Sequence, residues 1–222
     1  MLYLYAITES DRIPAIEGLR RATLTAVGEP GLLAVVSAHD ELEPDQDDLW
    51  THEQVVEGLT AGGPVLPMRF GSWLPDEPAV HAFLSERRQA LEEAFERVRG
   101  AVELSVRVAI GPAPEGRDQT AADDQATDSG TAYLLDRLKV ERNQKEVTQQ
   151  IHRPLASLAR ASTSWSGEPP RRHWKAAYLV SRDRIEEFIE QIDRLDSELS
   201  GGAVICTGPW PPYSFTAGEA VR

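Results

Sequence analysis

The 222-residue chain carries a single cysteine, Cys206. That excludes an internal disulfide framework and fits a reducing compartment. Positive charge is scarce: 23 Lys and Arg against 36 Asp and Glu give a net charge of −13. An acidic balance of this size speaks against non-specific nucleic-acid binding and against docking on anionic membranes. Long hydrophobic runs are missing too. The longest uncharged apolar stretch, Gly31 to Ala38, falls far short of the ~20 residues that span a bilayer. The opening Met1-Leu2-Tyr3-Leu4-Tyr5-Ala6-Ile7 has no basic region before it and no cleavage pattern after it, so it is not read as a signal peptide. These absences place the expected protein in the cytoplasm, or attached to something inside it, with neither nucleic acid nor membrane as partner.

Catalytic signatures are equally sparse. The sequence contains no phosphate loop, no dinucleotide-binding glycine fingerprint and no G-x-S-x-G elbow. The five histidines, His39, His52, His81, His152 and His173, show no metal-ligand spacing and read as surface or helix-face residues. Cys206 sits in an apolar strand-like run, where burial raises a thiol pKa and leaves it inert. No catalytic residue, cofactor or metal is therefore assigned.

What is present is an alternation of strand-like and helix-like segments. Leu2 to Ile7, Leu32 to Ser37, Val65 to Phe70, Val102 to Ile110, Trp174 to Ser181 and Ala203 to Thr207 read as strands. Helical spacing marks a weak candidate at Asp11 to Leu19, then Leu49 to Leu59, Glu77 to Arg99 and Asp183 to Leu199. Asp183 with Glu186 resembles a capping box. Gly111 to Gly130 has no aliphatic residue larger than alanine and a local charge of −4 (five acids, Glu115, Asp118, Asp123, Asp124 and Asp128, against Arg117), so it reads as a disordered acidic loop. A long helical stretch follows, about Thr131 to Ala161, apolar at both ends and charged between. Pro154 is expected to kink it, and the stretch reads as a coiled-coil-like projection beyond the core. The C-terminal half thus follows a β-α-β-α-β order, partly ferredoxin-like. The fold class is α+β, with an N-terminal domain at 1–99 and a C-terminal domain at 100–222 that contains the loop 111–130 and an extended tail, 207–222.

Three positions invite more than a structural reading. Arg69 lies in an apolar strand between Met68 and Phe70. It is an alternate-face residue exposed by strand period, one half of a buried ion pair, or an interface anchor. The basic run Arg171-Arg172-His173-Trp174-Lys175 reads as a solvated strand entrance. The segment Thr207-Gly208-Pro209-Trp210-Pro211-Pro212-Tyr213-Ser214-Phe215 carries three prolines and three aromatics, so it suits neither helix nor central strand. Stiffened by proline, it loses little entropy on docking, against its own domain or a partner.

Together, Val65-Leu66-Pro67-Met68-Arg69-Phe70-Gly71 and this tail resemble the GvpL/GvpF family of gas vesicle proteins. The same order holds for Tyr3 to Ile7, Leu33 to Ser37, Val102 to Val108, Gly130-Thr131-Ala132-Tyr133-Leu134-Leu135 and Ala177 to Val180. The resemblance implies two α+β domains, the second ferredoxin-like, with a tail packing back. It implies an accessory, minor structural protein of gas vesicle assembly, located at the vesicle or in the cytoplasm. Its implied partners are the small hydrophobic shell protein and other accessory proteins, and no catalytic residues come with it. Arg69, Phe70, Trp210, Tyr213 and Phe215 are the candidate structural or interaction residues. The rival reading is a small-molecule sensor or enzyme on a ferredoxin-like scaffold, with Arg69, His81 and Glu103 converging in a pocket.

Overall fold

The computed structural model describes residues 1–40, 45–110, 147–166, 173–199 and 202–216. The chain divides into two compact units, one formed by Met1–Glu103 with Gly208–Arg222 and the other by Leu104–Thr207. The tail thus groups with the N-terminal unit, whereas the sequence reading placed it in the C-terminal domain.

In the first unit, strands β1 (Leu2–Thr8), β2 (Thr25–Glu29), β3 (Leu32–Ala38), β4 (Val65–Pro67) and β5 (Trp73–Leu74) form one antiparallel sheet in the order β2-β3-β1-β4, with β5 also on β1. Tyr3 through Ile7 are all fully buried, as a strand covered on both faces must be. Helix α1 (Gln46–Thr60) packs on β1 and β4, α2 (Glu77–Glu86) on β2 and β3, and α3 (Arg88–Val98) on β4.

Local chemistry sets the helix ends. Asp45 accepts from the Asp47 and Asp48 amides, and Asp48 accepts from the Asp45 amide, closing a capping box. Arg20 clamps both carboxylates at 2.7 and 2.9 Å. Asp76 caps α2 through the Ala79 amide. The single helix expected over 77–99 is instead broken at Arg87, where φ is −108° and ψ is 7°. Residues Ser85 through Ala90 are all exposed, so no apolar stripe spans the break. The buried groups Val80, Phe83 and Leu84 on one side and Ala94, Phe95 and Val98 on the other are free to seat on different strands. The segment expected as a helix at Asp11 to Leu19 is not helical, and a 3-10 turn, Leu19–Arg21, begins only at its last residue.

In the second unit, β6 (Ala101–Ile110), β7 (Ala161–Ser166), β8 (His173–Ser181) and β9 (Gly202–Trp210) form a sheet in the order β7-β8-β6-β9. A π-helical turn, Thr148–His152, leads into α4 (Arg153–Leu158), and α5 (Ile185–Glu198) precedes β9. Val147, Ile151 and Leu155 bury one face against Leu104, Val106, Val108, Tyr178 and Phe188. Pro154 stands in the first turn of α4, where its missing donor costs nothing and the irregular turn before it absorbs the ring. The expected capping box at Asp183 is replaced by a 3-10 turn, Arg182–Arg184, in which Arg184 pairs with Glu187 at 2.9 Å. The acidic loop expected at 111–130, and residues 131–146 of the long helical stretch, lie outside the described residues.

Candidate functional site

The segment after β4 is held by a run of polar contacts inside an apolar core. Tyr3 on β1 and His52 on α1 are both fully buried. His52 Nε2 lies 3.1 Å from the Met68 carbonyl oxygen. A carbonyl only accepts, so Nε2 carries the proton and Nδ1 accepts from the Tyr3 hydroxyl at 2.9 Å. The Tyr3 oxygen in turn accepts from the Gly71 amide at 3.1 Å. Strand, helix and the stretch Met68–Gly71 are thereby locked to one another. Burial depresses the His52 pKa to about 4, so the ring is neutral at neutral pH. Burial also pushes the Tyr3 phenol well above its ordinary value. Tyr5, Phe70 and Tyr213 ring the imidazole at centroid distances of 5.7, 5.8 and 6.5 Å.

The tail closes on the same unit. The Ser214 amide and hydroxyl both donate to the buried Glu103 carboxylate at 2.8 Å. Arg97 Nη1 donates to the Phe215 carbonyl at 3.0 Å, and the Thr216 hydroxyl donates to the Pro67 carbonyl at 3.4 Å. Pro211, Pro212 and Phe215 are buried. The Tyr213 hydroxyl is buried without a hydrogen bond of ordinary geometry. Burial first, and the nearby Glu53 carboxylate second, push its pKa up. Glu53 is itself pushed above the usual carboxylate range by burial.

Beside the tail lies a groove of about 490 Å³, lined by Leu66, Pro67, Met68, Arg69, Phe83, Arg87, Ala90, Leu91, Ala94 and Thr216. Arg69 is exposed and forms no buried ion pair among the described residues. Phe70 is half-buried and packs on Tyr3 and His52. Phe215 is core, Tyr213 is half-buried, and Trp210 is 50% exposed at the end of β9. The three groups of the rival pocket do not share the groove. Arg69 lines it, His81 stands beside Glu77 on α2, and Glu103 is taken by Ser214. Among the described residues no three His, Cys, Asp or Glu side chains are placed to hold a metal ion, and no helix is long and apolar enough to cross a membrane.

The sequence reading takes His52 as a surface or helix-face residue and Glu103 as part of the rival pocket; in the structure both are buried hydrogen-bonding groups. His52 shares one helical face with Val55, Val56 and Leu59, at steps of three, four and seven, and that spacing is the signal that marks a buried histidine. For Glu103 the sequence gives no such signal, because its partner is 111 residues away.

The family model described as "Gas vesicle synthesis protein GvpL/GvpF" matches residues 1–217. Gas vesicle protein F of Streptomyces sp. (strain CB03234) is 33% identical over 201 residues, covering 83% of this chain and 84% of the relative. Gas vesicle protein L of the same strain is 30% identical over 191 residues, covering 79% and 71%. The crystal structure of GvpF from Anabaena sp. PCC7120 superposes with a TM-score of 0.82 at 21% identity, over 100% of this chain and 98% of that one, which places the fold. A mixed α/β chain with antiparallel sheets, matched nearly end to end, leaves one assignment: it belongs to the GvpL/GvpF family of gas vesicle proteins.

Proposed function

We propose that this chain is an accessory, minor structural protein of gas vesicle assembly. It works by protein–protein contact with the small hydrophobic shell protein and with other accessory proteins, at the vesicle or in the cytoplasm, and catalyses nothing. The observation that carries the reading is the family match over residues 1–217. The physical rationale is that a shell subunit with an apolar face aggregates in water before assembly. An acidic partner presenting aromatic anchors keeps such a subunit soluble or seeds its shell.

Trp50, Trp165 and Trp210 are 68%, 46% and 50% exposed, and anchors of this kind carry protein interfaces. In this reading Trp210 and Arg69 make contacts, while Phe70, Tyr213 and Phe215 hold the contact surface in shape. The second unit is read as ferredoxin-like, a reading supported by its β-α-β-β-α-β order and by the sheet order β7-β8-β6-β9.

The test is deletion of the gene in a vesicle-forming cell, complementation with the wild type, and scoring of vesicles by electron microscopy, alongside co-purification with the shell protein. Loss and rescue of vesicles, with co-purification, is the expected result. Normal vesicles without the gene, together with no co-purification, overturn the reading.

A further inference from the structure

We propose that the groove between β4 and the α2–α3 pair is the docking site for an acidic amphipathic helix of a partner protein, with Arg69 and Arg87 as the charge anchors on its rim. Several arginines elsewhere among the described residues hold a carboxylate at close range. Arg20 holds Asp45 and Asp48, Arg88 holds Glu29, Arg99 holds Glu9 and Arg184 holds Glu187, all within 3.0 Å. Arg69 has no ion pair among the described residues. Arg87 reaches only Glu86, at 3.9 Å with that carboxylate 73% exposed, and lies over the Phe83 ring at 4.7 Å. Both guanidinium groups border the same groove. Two cations left to solvent beside an apolar floor are an incomplete interface, and carboxylates supply the missing half.

The floor selects a helix. Leu66, Met68, Phe83 and Leu91 provide apolar walls, and Ala90 and Ala94 lie one turn apart on the α3 face that lines the groove. Small side chains at that spacing let a second helix approach closely. A volume of about 490 Å³ lies within the ~300–1,000 Å³ range of ligand clefts and accepts apolar anchors from successive turns, the helix-in-groove mode. The rim is held in place from below: His52 fixes the Met68 carbonyl, and Ser72 Oγ donates to the Arg69 carbonyl at 2.7 Å. The backbone carrying Arg69 is therefore presented ready-made, and little ordering cost attends docking.

This proposal deepens the assembly reading and rests on its premise that the chain works by protein contact, but the two fail separately. Vesicle counts score that reading; peptide binding to the purified chain scores this one. The probes are three fluorescein-labelled helical peptides sharing one leucine face and differing only in flanking residues, which are glutamate, glutamine or lysine. Anisotropy should show saturable binding of the glutamate peptide, roughly tenfold or more tighter than the lysine peptide, weakening as salt rises. Arg69→Glu with Arg87→Glu should reverse the preference. Ala90→Trp should abolish binding of all three peptides, and Arg21→Glu, remote from the groove, should change nothing. Far-UV circular dichroism checks each variant's fold, and the charge reversal stands as the test if Ala90→Trp does not fold.

Equal binding of the three peptides, no binding, or unchanged binding in the charge-reversed variant overturns the proposal. So does binding that appears only when the chain is ended at Thr216, which makes its own residues 217–222 the occupant. Binding of decanoate with the peptides inert also overturns it and assigns the groove to a small amphiphilic acid instead.

Discussion

Replacing His52 by glutamine should remove a specific part of the protein's acid sensitivity. In the folded chain burial holds the His52 pKa at about 4, below its ordinary value of 6.5. A depressed histidine binds protons more readily when unfolded, so protons favour the unfolded state between those two values. The stability that His52 contributes is full above about pH 6.5, declines as pH falls toward 4 and is flat below it. For this pair of pKa values the loss is close to zero at about pH 7.5 and about 2 kcal/mol at pH 5. The side chain is fully buried, so solvent screening does not reduce the figure much. His52→Gln costs stability at every pH, because it disturbs the contacts to Tyr3 and Met68, each worth about 1 kcal/mol. What it removes is the slope. Amide exchange of β1, which tracks opening of the first unit, measures both proteins at the two pH values. His39 and the carboxylates titrate in each and cancel in the difference. The wild type should lose about 2 kcal/mol more than the variant on acidification. An equal loss in both, or a His52 ring that titrates by NMR near 6.5, refutes a histidine locked neutral beneath the Met68–Gly71 segment.

Ser214→Ala should cost about 1 kcal/mol and Glu103→Ala about 1–2 kcal/mol, since the first removes one hydroxyl donor and the second removes the charged acceptor of both the Ser214 amide and hydroxyl; limited proteolysis of the tail reports both. Phe215→Ala should cost about 3–4 kcal/mol, whereas Trp210→Ala, half exposed, should cost about 1 kcal/mol or less while weakening co-purification with vesicle components. Equal melting shifts for those two would contradict the division of the tail into a clasped and a presented part. Gly28→Ala should destabilise by about 2 kcal/mol or more by chemical denaturation, because φ is +138° there and a Cβ would strike the Leu32 carbonyl and the Leu84 side chain. Cys206, whose thiol burial pushes up to about 11, should react with a disulfide reagent about 100-fold more slowly when folded than in denaturant.

The fold was legible where apolar burial runs continuously along a strand. Leu32 to Ser37 and Val102 to Ile110 were readable within a residue at each end, because the side chains of their core faces announce a sheet surface. The strands that escaped are β2, β5 and β7. The first is a sheet edge and mostly exposed, the second has two residues, and the third reads Ala-Ser-Thr-Ser-Trp-Ser and also lies at an edge. Backbone pairing makes such strands, and backbone pairing leaves no mark in composition. The break at Arg87 is of the same kind, since each half of the 77–99 segment has sound helical periodicity and only the two docking surfaces decide that one axis cannot serve both.

The candidate site divides along a similar line. Arg69 faces solvent, but not by strand period: the strand expected over Val65 to Phe70 ends at Pro67, after three successive buried residues, and Arg69 lies beyond it. Proline content alone excludes the tail from a central strand, and β9 is indeed an edge strand that contains Pro209 and ends at Trp210. Which aromatic is buried and which is presented is not local information. Trp210 and Phe215 stand five residues apart in similar company, yet one is half exposed and the other is core. The difference is made by Glu103 and Arg97, which seize the backbone around Ser214 and Phe215 from elements more than a hundred residues away. A short, stiff segment gripped at its far end has its near end positioned as a consequence. The same prolines that keep the tail out of a helix stiffen the path between that grip and Trp210, whose backbone is held from the other side as the last residue of β9.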